Sequence, residues 1–366
     1  MIVLAVLFAT AVFLLSLRHA HAAAATFTVN SLADPGEGIC DIAPDGCTLH
    51  EAIFAANTNP GAEINFDLDF SVPETINLTV QLPVITEAVR INGPGANLLT
   101  VRRSDDGGDY RIFTVTTPGV VTFSGITISN GASLNLGGGI ENGSAGTVIV
   151  INCTLDSNSA GSGGGIYNAG TLKVSQSTLT NNNAAGLGGG IYNSGSELSV
   201  TNSTLSGNFA GIGGAIFNEG TTTVTSSTLS NNGAGQAGGI GSVGPFYLDS
   251  SIVALNNAQG PPHDISGVVT SQDYNAVGSV DNKSFIVAVH DQVGVTAAQL
   301  NLGPLQNNEG PTHTIELCMG SVAIDKGDNT VFPGLRTDQR GTGFSRRIRQ
   351  VDVGAYEVRG VARLCP

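Results

Sequence analysis

The sequence is poor in the residues that charged and helical proteins use most. Its 366 residues include no tryptophan, two methionines and only 12% charged side chains, and the net charge is −14. Coiled coils and long charged helices are therefore not expected. The acidic balance also argues against nucleic acid as a partner, because phosphate binding requires clustered Lys and Arg.

Long apolar runs are missing too, except at the start of the chain. The run from Ile2 to Leu17 precedes Arg18 and the small-residue segment Ala20-His21-Ala22, which is the order of a signal peptide and its cleavage site. An uncleaved membrane anchor is the alternative, but the run is shorter than the ~20 residues that a spanning helix needs. We expect residues 1–25 to be removed, and the mature chain to be secreted to the extracellular space or cell surface without a transmembrane segment.

The five cysteines suit an oxidising compartment. Cys40 and Cys47 share a Gly/Pro-rich loop, while Cys318 and Cys365 both belong to the C-terminal region, so these pairs are the candidate disulfides. Cys153 falls at a predicted inward position of a repeat, where a buried thiol acts as a small hydrophobic group.

Glycine is abundant, with 50 residues, and a repeated pattern extends from about Val120 to Asn257. Its period is about two dozen residues, and apolar residues recur at matching positions. The resulting columns are Val150, Val174, Val200 and Val224; Leu155, Leu179, Leu205 and Leu229; and Ile140, Ile166, Ile191, Ile216 and Ile240. One repeat cannot bury its apolar face alone, but stacked repeats form a continuous core. The pattern predicts an all-β fold, a right-handed parallel β-helix over residues 66–290.

Asparagine recurs after both the Leu and the Ile column. The eight positions are Asn158, Asn182, Asn208 and Asn232, and Asn142, Asn168, Asn193 and Asn218. At a corner, Asn tolerates the left-handed conformation, and its amide can bond to the next coil. We interpret these residues as structural ladders rather than catalytic groups.

A short helix is predicted to cap the first coil, because Thr48 and Glu51 have capping-box spacing within CTLHEAIFAAN. This segment resembles the CSLREA domain, an N-terminal module of bacterial secreted β-helix proteins, with Thr48 and His50 where the motif has Ser and Arg. The resemblance implies an N-terminal cap over residues 26–65.

The C-terminal motifs TDQRG, which contains Gln339 and Arg340, and VDVGAYE, which contains Glu357, resemble the choice-of-anchor Q domain. That domain closes such proteins, which implies a closing region over residues 291–366. The glycine-rich repeats are similar to those of polymorphic outer-membrane and pectin-lyase-like proteins. Together these resemblances imply secretion and a cell-surface setting, and they carry no established reaction.

Binding is predicted rather than catalysis. Between Val148 and Ser242 the repeats contain only Asp156, Glu197 and Glu219 as acidic residues, at non-matching positions, whereas a β-helix enzyme needs clustered carboxylates with Arg, Lys or His. We expect a monomeric scaffold or adhesin, without cofactor, that binds cell-surface polysaccharide or another host or cell-surface component. A polysaccharide-active enzyme, pectate-lyase-like or a glycoside hydrolase, is the alternative.

Two acidic groups are candidate sites. The first, Asp105, Asp106 and Asp109, can offer oxygen ligands to Ca²⁺, although an exposed Asp/Gly turn is the preferred interpretation. The second is interpreted as a buried network that closes the last coil, and comprises Asp325, Asp328, Asp338, Asp352 and Glu357 near Arg340. The histidines are scattered without metal-ligand spacing at His50, His263, His290 and His313.

Hydroxyl residues flank the inward residue of one strand in successive repeats, as in Thr178-Leu179-Thr180. Because side chains alternate across a strand, these residues are expected to face solvent and form a flat hydroxyl surface. Such a surface can bind a sugar polymer, and it resembles the Thr arrays of ice-binding β-solenoids, although Thr and Ser also simply suit exposed strands. The binding-face candidates are Thr127, Thr154, Thr178, Thr204 and Thr228.

Arginine is concentrated near the C-terminal end. This concentration suggests docking on an acidic cell-surface polymer, although a solvated, flexible tail is the preferred interpretation. The arginines are Arg336, Arg340, Arg346, Arg347, Arg349, Arg359 and Arg363.

Overall fold

The computed structural model describes residues 24–35, 38–40, 46–106, 108–280, 285–329 and 335–365. Nearly the whole predicted signal peptide therefore lies outside the described residues. Each coil of the chain passes through up to four strands, and every strand pairs in parallel with its equivalent in the neighbouring coil. The predicted parallel β-helix is confirmed.

Four parallel sheets run along the solenoid, and we number them in the order in which a coil visits them. The 11 strands of the first sheet are Thr26–Val29, Ala62–Phe66, Val89–Asn92, Val120–Ser124, Thr147–Ile151, Thr171–Ser175, Glu197–Thr201, Thr221–Thr225, Phe246–Asp249, Val269–Ser271 and Phe285–Ile286. The ten strands of the second sheet are Glu74–Leu78, Leu99–Arg103, Thr127–Ser129, Thr154–Asp156, Thr178–Thr180, Thr204–Ser206, Thr228–Ser230, Ile252–Ala254, Ala276–Val277 and Gln292–Val293.

The other two sheets are shorter. The six strands of the third sheet are Ala132–Leu136, Ser159–Ser162, Asn183–Ala184, Phe209–Ile212, Gly233–Gln236 and Asn257–Ala258. The seven strands of the fourth sheet are Phe113–Val115, Ile140–Asn142, Ile166–Asn168, Ile191–Asn193, Ile216–Asn218, Ile240–Ser242 and Ile265–Ser266. An antiparallel hairpin follows the solenoid, with strands Leu302–Gln306 and Thr314–Leu317.

The core consists of the predicted columns. Val150 pairs with Val174, Leu155 with Leu179, and Ile166 with Ile191 in neighbouring coils. These side chains are at most 1% exposed. Full burial of one such side chain stabilises a fold by about 1.5–3 kcal/mol, so the repeated register supplies much of the driving force for stacking.

Two asparagine ladders run inside the corners, as predicted. Asn182 Nδ2 donates to Asn208 Oδ1 at 2.9 Å, and Asn168 Nδ2 donates to Asn193 Oδ1 at 2.7 Å. The expected left-handed conformation instead belongs to the residues just before one ladder, such as Asn181 (φ 54°) and Asn231 (φ 61°). The ladder asparagines are fully buried because their amides satisfy one another and the adjacent carbonyl groups.

The predicted N-terminal helix, α1, spans Leu49–Ala56, and its capping box is present. Thr48 Oγ1 accepts from Glu51 N at 3.3 Å, while Glu51 Oε2 accepts from Thr48 N at 2.8 Å. Ala52 and Ile53 of this helix join the main core beside the first strands. A second, shorter helix, α2, spans Ala297–Leu300 after the last coil.

Both cysteine pairs form disulfides in the structure, Cys40–Cys47 and Cys318–Cys365. Cys153 is free and buried, and burial raises the pKa of its thiol to about 12. Neither helix in the described part of the chain has the length and apolarity to cross a membrane.

The C-terminal region does not simply extend the solenoid. After the last coil it turns back along the outside of the second sheet, and His313 O accepts from Thr178 Oγ1 at 2.6 Å. A separate small core lies between this region and the second sheet, where Val353 and Leu317 pack with Ile252. The region therefore covers the side of the solenoid over several coils.

Candidate functional site

The threonine row of the second sheet is not the open surface that the sequence predicted. Thr178 and Thr204 are 0% exposed, and Thr228 is 1% exposed, because the C-terminal region lies over them. Thr127 and Thr154 precede the covered coils and remain partly exposed. The prediction of a continuous solvent-facing hydroxyl row is wrong, because another part of the same chain binds its hydroxyl groups.

Gln339 makes the central contact of this covering region. Its Nε2 donates to Thr178 Oγ1 at 2.9 Å, and its Oε1 accepts from Thr204 Oγ1 at 2.6 Å. Further along the row, Thr228 Oγ1 accepts from Ala355 N at 3.0 Å. The three hydroxyl groups are therefore satisfied within the chain, which leaves them unsuited to recognise a ligand.

The predicted acidic network of the C-terminal region is buried in part. Asp338, Asp352 and Glu357 are buried together with Arg340, whereas Asp325 and Asp328 are half-buried. The buried part lies beside the second sheet and not across the last coil. Asp338 Oδ2 pairs with Arg340 Nη2 at 2.6 Å, and the guanidinium group lies between the rings of Phe344 and Tyr356. Glu357 Oε2 accepts from the backbone nitrogen of Asp352. The network holds the covering region together from within.

Burial raises the pKa values of two carboxyl groups in this network. Burial and the neighbouring carboxylate of Asp352 raise the pKa of Glu357 to about 8. Burial likewise raises the pKa of Asp352 to about 6, despite backbone hydrogen bonds that favour its ionised form. Arg346 is 1% exposed, and its Nη2 donates to the carbonyl groups of Asp352 and Gly354.

The arginine-rich end is only partly available for binding. Arg340 and Arg346 are buried within the network, which corrects the prediction that all seven arginines form a docking surface. The five that stay exposed are Arg336, Arg347, Arg349, Arg359 and Arg363.

The structure does not bring Asp105, Asp106 and Asp109 together as metal ligands. Asp105 pairs with Arg102 at 3.0 Å and accepts from Asn130, and these contacts lower the pKa of its carboxyl. Within the described ranges, one set of three potential ligand atoms lies within 4.8 Å, and it comprises Glu316, Cys318 and Cys365. The disulfide occupies both sulfur atoms of that set.

A second group of titratable residues, which the sequence did not reveal, lies where the first and second sheets meet. His290 Nδ1 lies 2.7 Å from Asp273 Oδ2, and the His290 ring stacks on Tyr274 with 4.4 Å between centroids. Burial, together with Asp328, Asp273 and Asp291, raises the pKa of the nearby Asp249 to about 6. Acid and base groups are thus present on one side of the solenoid.

The most regular functional feature is a row of aromatic side chains on the outside of the fourth sheet, which we call the aromatic row. It consists of Tyr167, Tyr192 and Phe217, which occupy the same position in three successive coils. Ring centroids lie 5.3 Å apart between the tyrosines and 5.7 Å apart between Tyr192 and Phe217, and both pairs meet edge to face. Both tyrosines remain partly exposed.

Local strand geometry places these rings outside the core. The inward residues on either side of Tyr192 are Ile191 and Asn193, which belong to the Ile column and to an asparagine ladder. Since alternate residues of a strand point to opposite faces, the residue between them must point outward. The core columns therefore fix the spacing of the aromatic row.

Polar groups surround the aromatic row. Tyr192 OH donates to Glu219 Oε2 at 2.8 Å, and Ser194 Oγ donates to Tyr167 OH at 2.8 Å. One coil before Tyr167, Glu141 occupies the same register position and pairs with Arg111 at 2.6 Å. The row thus combines apolar ring surface with hydrogen-bonding groups, which is the composition of many ligand sites.

The aromatic row ends at a glycine, Gly241. Gly241 follows Phe217 in register, and a Cβ built on Gly241 would approach both Phe217 and Ile212 within about 3.0 Å. The side chains of Phe217 and Ile212 therefore converge beside Gly241 from adjoining strands. The Phe217 ring fills the space beside Gly241 and is only 8% exposed, so it is the most buried ring of the row.

The signal for this row was present in the sequence as IYN, IYN and IFN at the end of successive repeats. The Ile and Asn of each triplet have structural roles, and the residue between them forms the row. Comparison of the chain with protein-family models, with curated proteins and with solved structures finds no match. The resemblances to the CSLREA and choice-of-anchor Q domains therefore stay predictions.

Proposed function

We propose that this protein is an extracellular binding scaffold that recognises polysaccharide through the aromatic row. The observation that carries the proposal is the repetition of Tyr167, Tyr192 and Phe217 at one position of three coils. A sugar ring has an apolar face of C–H groups, which packs favourably on the electron-rich face of an aromatic ring. Its hydroxyl groups can bond at the same time to Glu219 and Ser194, which border the row.

The rigidity of the aromatic row supports a role in ligand binding. The rings are attached to strands whose flanking residues are buried in the core and in the ladder, so their positions are fixed before a ligand arrives. Preorganised groups lose little conformational entropy on binding. The two disulfides of the structure are consistent with an oxidising, extracellular setting.

Co-sedimentation with insoluble polysaccharides tests the proposal. We expect the wild-type protein to sediment with at least one of cellulose, chitin, mannan and β-1,3-glucan, and the double variant Tyr167→Ala/Tyr192→Ala to stay in solution. The matched control is Thr221→Ala/Thr223→Ala, two exposed outward positions on the first sheet, which should sediment like the wild type. Equal sedimentation of the tyrosine variant and the wild type would contradict the proposal.

A second candidate function, cleavage of polysaccharide, is favoured by the group around Asp249. Burial raises the pKa of Asp249 to about 6, so this carboxyl can donate a proton, and the nearby Asp273 Oδ2 lies 2.7 Å from His290 Nδ1. Formation of new reducing ends from soluble polysaccharide tests this function, with Asp249→Asn expected to abolish it. If the wild-type protein releases none, this candidate is eliminated.

A further inference from the structure

We propose that the ligand of the aromatic row is an uncharged polysaccharide in an extended conformation, which lies parallel to the solenoid axis with successive sugars on successive coils. This inference rests on the proposed function and specifies the ligand class of the same site.

The direction of the ligand follows from the register of the fourth sheet. Tyr167 pairs directly with Tyr192, and Tyr192 with Phe217, so the row advances along the stacking direction and not along a strand. A ligand that contacts more than one ring must therefore extend along the solenoid axis. The strand spacing of about 4.8 Å sets the advance per coil, and the ring centroids are 5.3 and 5.7 Å apart. A fully extended chain of pyranose rings advances by a similar distance per sugar.

The charge around the aromatic row disfavours an acidic ligand. Glu219 accepts from Tyr192 of the row, and Glu141, one coil before Tyr167, is paired with Arg111 at 2.6 Å. The outward positions of the fourth sheet carry no Lys, Arg or His, and are Thr114, Glu141, Tyr167, Tyr192, Phe217, Gly241 and Ser266. The net charge of −14 adds a long-range repulsion for polyanions. Uronate and sulfated polymers are therefore disfavoured.

Beyond the third ring, the outward positions of the fourth sheet carry no bulky side chain. Gly241 leaves the position after Phe217 without a side chain. One coil further, Ser266 occupies the outward position, and its Oγ accepts from Gln236 Nε2 at 3.0 Å. These polar side chains can bond to the hydroxyl groups of a following sugar, so binding along the chain, rather than at its end, is expected.

Isothermal titration calorimetry with cello-oligosaccharides of one to six sugars tests the inference. Affinity should increase with length up to two or three sugars and then level off, because Tyr167 and Tyr192 are the partly exposed rings of the row, whereas Phe217 is 8% exposed. Tyr192→Ala, which removes the central ring, should weaken binding of the hexasaccharide about tenfold, the factor expected for loss of one aromatic contact. Tyr192→Phe, which keeps the ring and removes the hydroxyl group, should have a much smaller effect.

Two comparison ligands complete the experiment. Polygalacturonate tests whether the site rejects a charged polymer. Laminari-oligosaccharides, whose β-1,3 linkage curls the chain, test whether the ligand must be extended. Both should bind at least tenfold more weakly than cellohexaose. If glucose alone binds as tightly as cellohexaose, or polygalacturonate binds equally well, the inference is overturned while glycan binding stands. If Tyr192→Ala changes no affinity, the proposed function itself fails. A circular dichroism melting curve for each variant verifies that it is folded.

Discussion

The side-chain amide of Gln339 donates to Thr178 Oγ1 across 161 residues of sequence, at 2.9 Å. The same amide group accepts from Thr204 in the next coil. One buried side chain thus bridges two coils of the second sheet and anchors the C-terminal region there.

Replacement of Gln339 should destabilise the protein. Gln339→Ala leaves Thr178 and Thr204 buried without this partner, and an unsatisfied buried polar group costs about 1–3 kcal/mol. We expect the free energy of unfolding in urea to fall by about 2–4 kcal/mol. The exposed Gln272, changed to Ala, is the control and should leave the unfolding midpoint in place. Identical curves for both variants would show that the anchor contributes nothing.

Interruption of an asparagine ladder should lower the free energy of unfolding by a similar amount. Asn208 donates to Asn232 Oδ1 and to Leu179 O, and its own Oδ1 accepts from Asn182. Asn208→Ala removes these buried bonds together, so unfolding should become easier by about 2–4 kcal/mol. Asn183→Ala, at an exposed position of the third sheet, is the matched control. A loss below about 0.5 kcal/mol in the urea titration would contradict the structural role of the ladder.

Cys153 should be unreactive in the folded protein. Its thiol is fully buried and its pKa is raised to about 12 by burial, so little thiolate forms at neutral pH. We expect mass spectrometry to detect no iodoacetamide adduct at pH 8 in native protein, and one adduct after denaturation in urea without reductant. Rapid labelling of the native protein would show that this coil opens.

The C-terminal network should make stability depend on pH. The folded-state pKa of Glu357, about 8, is raised above its unfolded value of about 4.5, so its stabilising contribution is complete below the unfolded pKa. The contribution is lost as pH rises through about 8. The melting temperature should therefore fall by several degrees between pH 6 and pH 9, and Glu357→Gln should flatten this dependence. A melting temperature that rises over the same interval would contradict the assignment.

Much of the fold could be predicted because repetition reveals which residues face inward. The Val, Leu and Ile columns recur at fixed positions, and only stacked strands place such residues together, as Val150 and Val174 show. The helix over Leu49–Ala56 was equally predictable, since its capping box is a local pattern. Local and repeated patterns thus gave the architecture.

The sites were less predictable because they depend on contacts between distant parts of the chain. Strand alternation indicates correctly that Thr178 points out of the core, but it cannot reveal that His313 and Gln339 cover that position. The pairing of Asp273 with His290 likewise joins two coils with no shared motif. The aromatic row was visible as IYN and IFN, and was missed because its neighbours already had a structural explanation.

The folded-back C-terminal region also has a consequence for the length of the solenoid. An open repeat protein can gain or lose a coil with little effect on the others, because each coil contacts only its neighbours. Here Gln339 contacts Thr204 while Ala355 contacts Thr228, so residues of one segment match two particular coils. Duplication or deletion of a coil between these threonines would change the distance between them. The C-terminal region could then no longer contact both. The C-terminal region therefore fixes the number of coils that it spans, and evolution by repeat duplication is restricted to coils outside that part.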